Sequence, residues 1–234
     1  MKRILTAVFA VCLCFSTVFA LASCGCEKEE DTRVIIAKET QPDVLDDQGY
    51  GYIIVDGKTL TITQYKGSAM ELDIPSEYDG KPVTAIGDHV FRSQAITSVK
   101  IPSSIESIGN RAFSDCASLT NVSFSEGLKV IDNFAFSYCS GLKEVKFPST
   151  LTSINQYAFT GCGLVSIDVP DSVTEIGHMA FYQCADLESA KIPSTVKEFG
   201  QYVFDEDKKL TITCPKGSEA EKYAKKYDIK YKTA

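Results

Sequence analysis

The feature that most constrains this chain is an internal repeat with a period of 22 or 23 residues. Each repeat carries a small residue followed by Phe. This pair recurs at Val90-Phe91, Ala112-Phe113, Ala135-Phe136, Ala158-Phe159, Ala180-Phe181 and Val203-Phe204. A unit of this length cannot bury its own apolar residues, so the repeats must stack and share one continuous core.

Two further series keep the same phase. An apolar residue stands before Pro, or before Ser in one unit, at Ile74, Ile101, Phe124, Phe147, Val169 and Ile192. Because Pro ends a hydrogen-bonded ladder, this series predicts the ends of strands. The other series places Gly, Asp or Asn after Ile86, Ile108, Ile131, Ile154, Ile176 and Phe199. We interpret it as a turn whose second residue has a positive φ.

Side chains alternate along a strand, so each predicted strand has an inner and an outer face. Leu119, Val122 and Phe124 are predicted to face the core, and Asn121 and Ser123 to face outward. The outward residues form two columns, which together define the candidate binding face: Ser98, Asn121, Glu144, Ser166 and Ser189, and Lys100, Ser123, Lys146, Asp168 and Lys191. This face carries no Trp, Tyr or Phe, the residues that commonly anchor tight interfaces, so we expect weak or multivalent binding.

The repeat over residues 72–214 resembles the BspA-type leucine-rich repeat, in period, order and residue type. The resemblance implies an α/β leucine-rich-repeat solenoid that is rich in β-structure. Parallel strands would line one concave face, and short helices or turns near the Ala-Phe pairs would line the other. It also implies a bacterial surface protein that binds or adheres to host, neighbouring-cell or matrix components.

The predicted leucine-rich-repeat domain spans residues 49–234 and has an additional element at each end. Residues 49–71 are predicted to form a hairpin with Asp56-Gly57 at its turn. About six coils follow over residues 72–214. Residues 215–234 are predicted to form a helical cap, because Ser218 and Glu221 have capping-box spacing and Ala220, Tyr223, Ala224 and Tyr227 share a helical face.

The first 48 residues have a different character. Lys2 and Arg3 precede an apolar run that ends in Leu21-Ala22-Ser23-Cys24, which resembles the bacterial lipoprotein box. Residues 1–23 are therefore predicted to be a lipoprotein signal peptide and Cys24 the lipid-modified N-terminus of the mature chain. The alternative is an uncleaved membrane helix. Residues 24–48 are rich in acidic residues and are predicted to be a flexible linker.

Four cysteines occupy one repeat position, three residues after Phe: Cys116, Cys139, Cys162 and Cys184. They are open to three interpretations. Buried thiols can pack as small apolar groups. Disulfides between neighbouring coils are possible in an exported protein. A metal site is the third, although a linear column does not suit tetrahedral ligation.

The formal net charge of −7 argues against nucleic-acid binding, which requires a basic surface. The chain has two His, His89 and His178, which lie four units apart and are predicted to lie in exposed loops. No catalytic motif is present, so the sequence predicts neither an enzyme nor a cofactor or metal.

The sequence therefore predicts an exported, lipid-anchored protein that binds a protein or glycan partner outside the cell. The alternative is a structural or accessory module of the envelope that binds no ligand of its own. The fold by itself does not choose between them, because function resides in the site.

Overall fold

The computed structural model describes residues 45–233. The predicted signal peptide, Cys24 and nearly all of the predicted linker lie outside this range. Within it, the strands and the one helix have these bounds: β1 Tyr50–Val55, β2 Thr59–Tyr65, β3 Glu71–Asp73, β4 Glu77–Tyr78, β5 Lys81–Ile86, β6 Ser98–Ile101, β7 Ser107–Ile108, β8 Asn121–Phe124, β9 Val130–Ile131, β10 Ser153–Ile154, β11 Ser166–Asp168, β12 Glu175–Ile176, β13 Ser189–Lys191, β14 Glu198–Phe199, β15 Thr211–Cys214, α1 Glu219–Lys226 and β16 Lys230–Thr233.

One side of the domain is a long sheet with one strand from each successive coil. Its order is β1-β2-β5-β7-β9-β10-β12-β14, and every pair after the antiparallel β1–β2 hairpin is parallel. In this sheet the strands β7, β9, β10, β12 and β14 are only two residues long, and each ends with the apolar residue of the series predicted as a turn. The turn prediction was therefore wrong. The series forms a ladder because each coil lies at strand spacing from the next.

A second set of parallel strands contains the predicted strands of the repeat. It is divided into a three-stranded sheet, β3-β6-β8, and a four-stranded sheet, β11-β13-β15-β16. The predicted alternation is present in β8, where Val122 is buried while Asn121 and Ser123 are exposed. The family resemblance implied one continuous sheet on this side, whereas the structure has two.

The Ala-Phe segments form the third side, as tight turns joined by backbone hydrogen bonds. Phe113 N–H donates to the Ala135 carbonyl over 2.8 Å, and Phe136 N–H to the Ala158 carbonyl over 2.8 Å. The six Phe rings lie in single file, with neighbouring centroids 4.9 to 5.6 Å apart and nearly parallel planes. A second buried file consists of Ile62, Ile86, Ile108, Ile131, Ile154 and Ile176. The solenoid prediction is therefore confirmed.

The left-handed residues are not the ones predicted. The Gly, Asp and Asn that follow the Ile series have ordinary φ values, and the positive φ falls two residues later, at His89, Arg111, Phe134, Tyr157, Met179 and Tyr202. A further set lies two residues after each Phe, because the chain bends twice around the buried pair. The Gly residues serve close approach instead. A Cβ on Gly177 would lie 2.6 Å from the carbonyl carbon of Asn155 in the preceding coil.

Both predicted terminal elements are present. The β1–β2 hairpin turns at Asp56 and Gly57, both with positive φ, and β2 pairs with β5. The Ser218 side chain accepts a hydrogen bond from Glu221 N–H, which begins α1 as predicted. The Glu221 carboxylate, however, accepts from Gly217 N–H, one residue earlier than a capping box requires. The strand after α1, β16, pairs in parallel with β15.

Candidate binding face

The register of the parallel strands aligns most residues of the candidate binding face in columns. Ser98 pairs with Asn121 and Lys100 with Ser123 between β6 and β8. Ser166 pairs with Ser189 and Asp168 with Lys191 between β11 and β13. Because residues paired in a parallel ladder project on the same side, these side chains form the two predicted columns on each half of the face.

The two halves meet at residues 143–147, which form no strand. An isolated bridge between Ser123 and Lys146 joins this segment to the preceding coil. Val165 N–H donates to the Lys143 carbonyl over 3.1 Å on the other side. The break lies beside the unit with one residue fewer between its Cys and Leu, namely Cys162 to Leu164. Lys146 and Glu144 thus belong to the face but stand on an irregular segment.

An open groove of about 540 Å³ runs across this break. Its polar lining comes from both columns, from Asn121 at one end to Thr213 at the other, and Val145 is among its apolar residues. A shallow groove of this kind can accept an extended ligand, but it offers no enclosed pocket for a small molecule.

Charges on the face partly neutralise one another. Lys100 Nζ lies 3.6 Å from Asp73 Oδ2, and Lys191 Nζ lies 3.3 Å from Asp168 Oδ2. All four side chains are largely exposed, so each pair contributes at most about 1 kcal/mol and can exchange for contacts with a ligand. Lys146 forms no ion pair within residues 45–233.

The face extends further than the sequence prediction placed it. Glu71 and Asp73 of β3 continue the two columns at one end, since they pair with Ser98 and Lys100. Thr211 and Thr213 of β15, then Lys230 and Lys232 of β16, continue them at the other end. The sequence already shows polar residues on both sides of Leu72 in β3 and of Ile212 in β15, and Ile212 lies at the repeat spacing from Ala190. β16 follows α1 and lies outside the repeat, so only pairing reveals its register.

The cysteine column lies in the core and takes no part in the face. All four thiols are free and buried, as is Cys214. Burial raises the pKa of the Cys116 thiol to about 11 and the pKa values of the other three further. The structure therefore favours the interpretation as packed thiols.

An aromatic column that the sequence prediction missed lies on the Ala-Phe side. Phe134 and Tyr157 stack at 4.6 Å, and the Arg111 guanidinium lies 4.4 Å from the Phe134 centroid. His178 contacts Tyr157 and Tyr202 edge to face, at 5.4 and 6.1 Å. His178 is thus half-buried, whereas His89 is exposed as predicted. Because the rings of this column contact one another from coil to coil, the column stabilises the stack of coils.

Neither a metal cluster nor a membrane-spanning helix is present in residues 45–233. No group of three or more His, Cys, Asp or Glu side chains in that range is placed to hold a metal ion. Over the same residues, no helix is both long enough and apolar enough to cross a bilayer.

These features define the class of the molecule, a solenoid repeat protein with a polar face of parallel strands. The sequence profile described as BspA type leucine rich repeat region matches residues 84–211 in six copies. The chain therefore belongs to the BspA-type leucine-rich repeat family.

Solved structures of other bacterial leucine-rich repeat proteins are similar to it. The T. pallidum leucine-rich repeat protein is 33% identical with a TM-score of 0.69, covering 71% of this chain and 79% of that one. A leucine-rich repeat protein from Bacteroides ovatus is 29% identical with a TM-score of 0.67, covering 74% of this chain and 47% of that one. No curated protein matches the chain.

Proposed function

We propose that this chain is an exported, lipid-anchored binding protein that uses the candidate binding face to hold a protein or glycan partner outside the cell. The observation that supports the proposal most is the strand register, which aligns polar side chains of successive coils in two files. Repeat proteins use such extended surfaces for recognition. The proposal includes no catalytic activity.

The lipid anchor rests on residues 21–24, where Leu-Ala-Ser-Cys ends an apolar run after two basic residues. Diacylglycerol on Cys24 together with a further acyl chain would anchor the protein stably, since each buried methylene contributes ~0.8 kcal/mol. An acidic linker over residues 24–48 would then separate the repeat domain from the lipid headgroups. The intact mass of protein extracted from membranes tests this directly. An unmodified chain that begins at Met1 would contradict it.

The binding test compares two variants with the same change in charge. In the first, Lys100, Lys146 and Lys191 on the face are replaced by Glu. In the matched control, Lys58, Lys66 and Lys216 are replaced by Glu. These three are exposed and lie off the face.

Each full-length protein, in detergent, is applied to arrays of extracellular-matrix proteins and glycans. Loss of binding by the face variant alone supports the proposal. Equal binding by both variants excludes the face as the site. If the wild-type protein binds no array component, and crosslinking on whole cells captures no partner, the structural or accessory module becomes the better conclusion.

A further inference from the structure

In the last coil an acid takes the place that cysteine holds in the four coils before it. Asp207 follows Phe204 by three residues, as Cys184 follows Phe181. The Asp207 side chain is only 7% exposed, and neither of its carboxylate oxygens has a hydrogen-bond partner within residues 45–233. A buried carboxylate without partners is costly, so the position needs an explanation.

The thiols in this column show what the position requires. Each donates a hydrogen bond to the carbonyl of the Phe one coil earlier, over 3.1 to 3.2 Å, as Cys184 does to Phe159. By repeat position, the Phe181 carbonyl is the equivalent acceptor for Asp207. An ionised carboxylate cannot donate to a carbonyl, but a neutral carboxyl group can take over the role of the thiol.

The charged groups around Asp207 do not favour its ionisation. Burial raises the pKa of Asp207 to about 8, and Asp205 and Glu206 on the same turn add to this rise. The neighbouring lysines form ion pairs with other acids. Lys208 Nζ lies 3.9 Å from Glu206 Oε2, and Lys209 Nζ lies 3.2 Å from Asp186 Oδ1.

The elements packed against this turn do not supply a compensating cation in contact with Asp207. In the preceding coil, Cys184 contributes a thiol kept neutral by burial, and its backbone N–H is the one favourable dipole. On α1, the Tyr223 hydroxyl is buried without a partner in the described chain. Tyr227, Asp228 and Lys230 line an open groove beside the turn, and Lys230 is exposed.

We propose that Asp207 is a pH switch for the C-terminal end of the solenoid. Its neutral carboxyl group donates to the Phe181 carbonyl and keeps residues 204–210 packed against the segment from α1 to β16. Loss of that proton leaves a buried, unpaired anion, and the turn opens to hydrate it. No other group changes its covalent bonding.

The switch has a defined pH dependence. In the opened turn the carboxyl group is hydrated and has an ordinary pKa near 3.9, whereas in the closed turn it has a higher one. The equilibrium constant for opening therefore rises about tenfold per pH unit between these two values and is level above the higher one.

Hydrogen exchange on the full-length protein, read by mass spectrometry, tests the switch. After correction for the intrinsic exchange rate, opening of residues 204–233 in the wild type should rise at least about a hundredfold between about pH 5 and about pH 8. Asp207→Asn and Asp207→Cys should remove this rise. Asp205→Asn, which changes an exposed acid of the same turn, should retain it. In peptides from residues 107–136, the corrected hydrogen exchange should not change with pH in any of the proteins.

Two results would overturn the proposal. One is an opening of residues 204–233 that does not depend on pH in the wild type. The other is an equal rise of this opening with pH in the wild type and in Asp207→Asn. Asp207→Cys restores the residue type of the column, so it decides the question if the Asn variant does not fold. A ¹³C titration of the Asp207 carboxyl group gives an independent measure. A midpoint near that of an exposed Asp would also exclude the switch.

Discussion

The Cys139 thiol donates a hydrogen bond to the main-chain carbonyl of Phe113, one coil earlier, over 3.2 Å. The same bond recurs at the other three cysteines of the column. Each thiol thus fills a small apolar space and also satisfies a carbonyl inside the core. This dual role explains why the column can exist without disulfides or a metal.

The four thiols should be unreactive in the folded protein. Burial excludes reagents and raises the pKa values of all four thiols, so at about pH 9 only about 1% of Cys116 is thiolate. Iodoacetamide labelling followed by peptide mass spectrometry should leave these four cysteines unmodified, and labelling in denaturant should modify all of them. Rapid labelling of the native protein, or a mass loss that reports disulfides, would contradict the assignment.

Replacing a ring in the middle of the Phe file should be severely destabilising. Phe136 is fully buried, and its centroid lies 5.1 Å from that of Phe113 and 5.3 Å from that of Phe159. Phe136→Ala should reduce the free energy of unfolding by about 3–5 kcal/mol because it leaves a cavity between two coils. Urea unfolding followed by circular dichroism measures the loss.

Phe134→Ala is the matched control, since Phe134 lies in the same coil but is partly exposed. The variant loses the ring contacts with Tyr157 and Arg111, which contribute about 1 kcal/mol. Equal losses for the two variants would show that the buried file does not dominate stability.

Gly127 should be far less tolerant of substitution than Gly57. Gly127 has φ of 125°, and a Cβ there would overlap the Ser103 carbonyl oxygen of the preceding coil. Gly57 also has a positive φ, of 68°, but nothing lies within 4 Å of its Cβ position. Gly127→Ala should cost about 3 kcal/mol and Gly57→Ala about 1 kcal/mol, by thermal or urea unfolding. Similar costs would indicate that the coils can separate at Ser103.

Asp207 should make global stability depend on pH. Its pKa is about 8 in the folded protein and near 3.9 in the unfolded chain, so the folded state holds the proton more tightly. The free energy of unfolding from this group is largest below about pH 4 and falls toward about pH 8 by at most about 1.4 kcal/mol per pH unit, since opening of the turn relieves part of the cost. The difference between wild type and Asp207→Asn in urea unfolding at several pH values isolates this contribution. A difference that does not vary with pH would contradict the shifted pKa.

Most of the fold was predictable because stacking imposes the same environment on each repeat. The Phe file, the Ile file, the hairpin turn at Asp56-Gly57 and the start of α1 were all predicted from spacing and residue type. The function of the Gly after Ile was not. Four of the six units have Gly at this position, and both a positive φ and close backbone approach favour Gly. Only the tertiary structure distinguishes a positive φ from close backbone approach, and in this chain it shows close approach.

The sequence by itself determined the period of the coil, which residues face inward and which face outward, since these depend on local geometry that each repeat shares. Only the tertiary structure decided where the face of parallel strands is broken at residues 143–147, how β16 extends it, and what surrounds Asp207. Those features depend on contacts between coils, and a one-residue difference or a single acid changes such contacts without changing the pattern of the repeat.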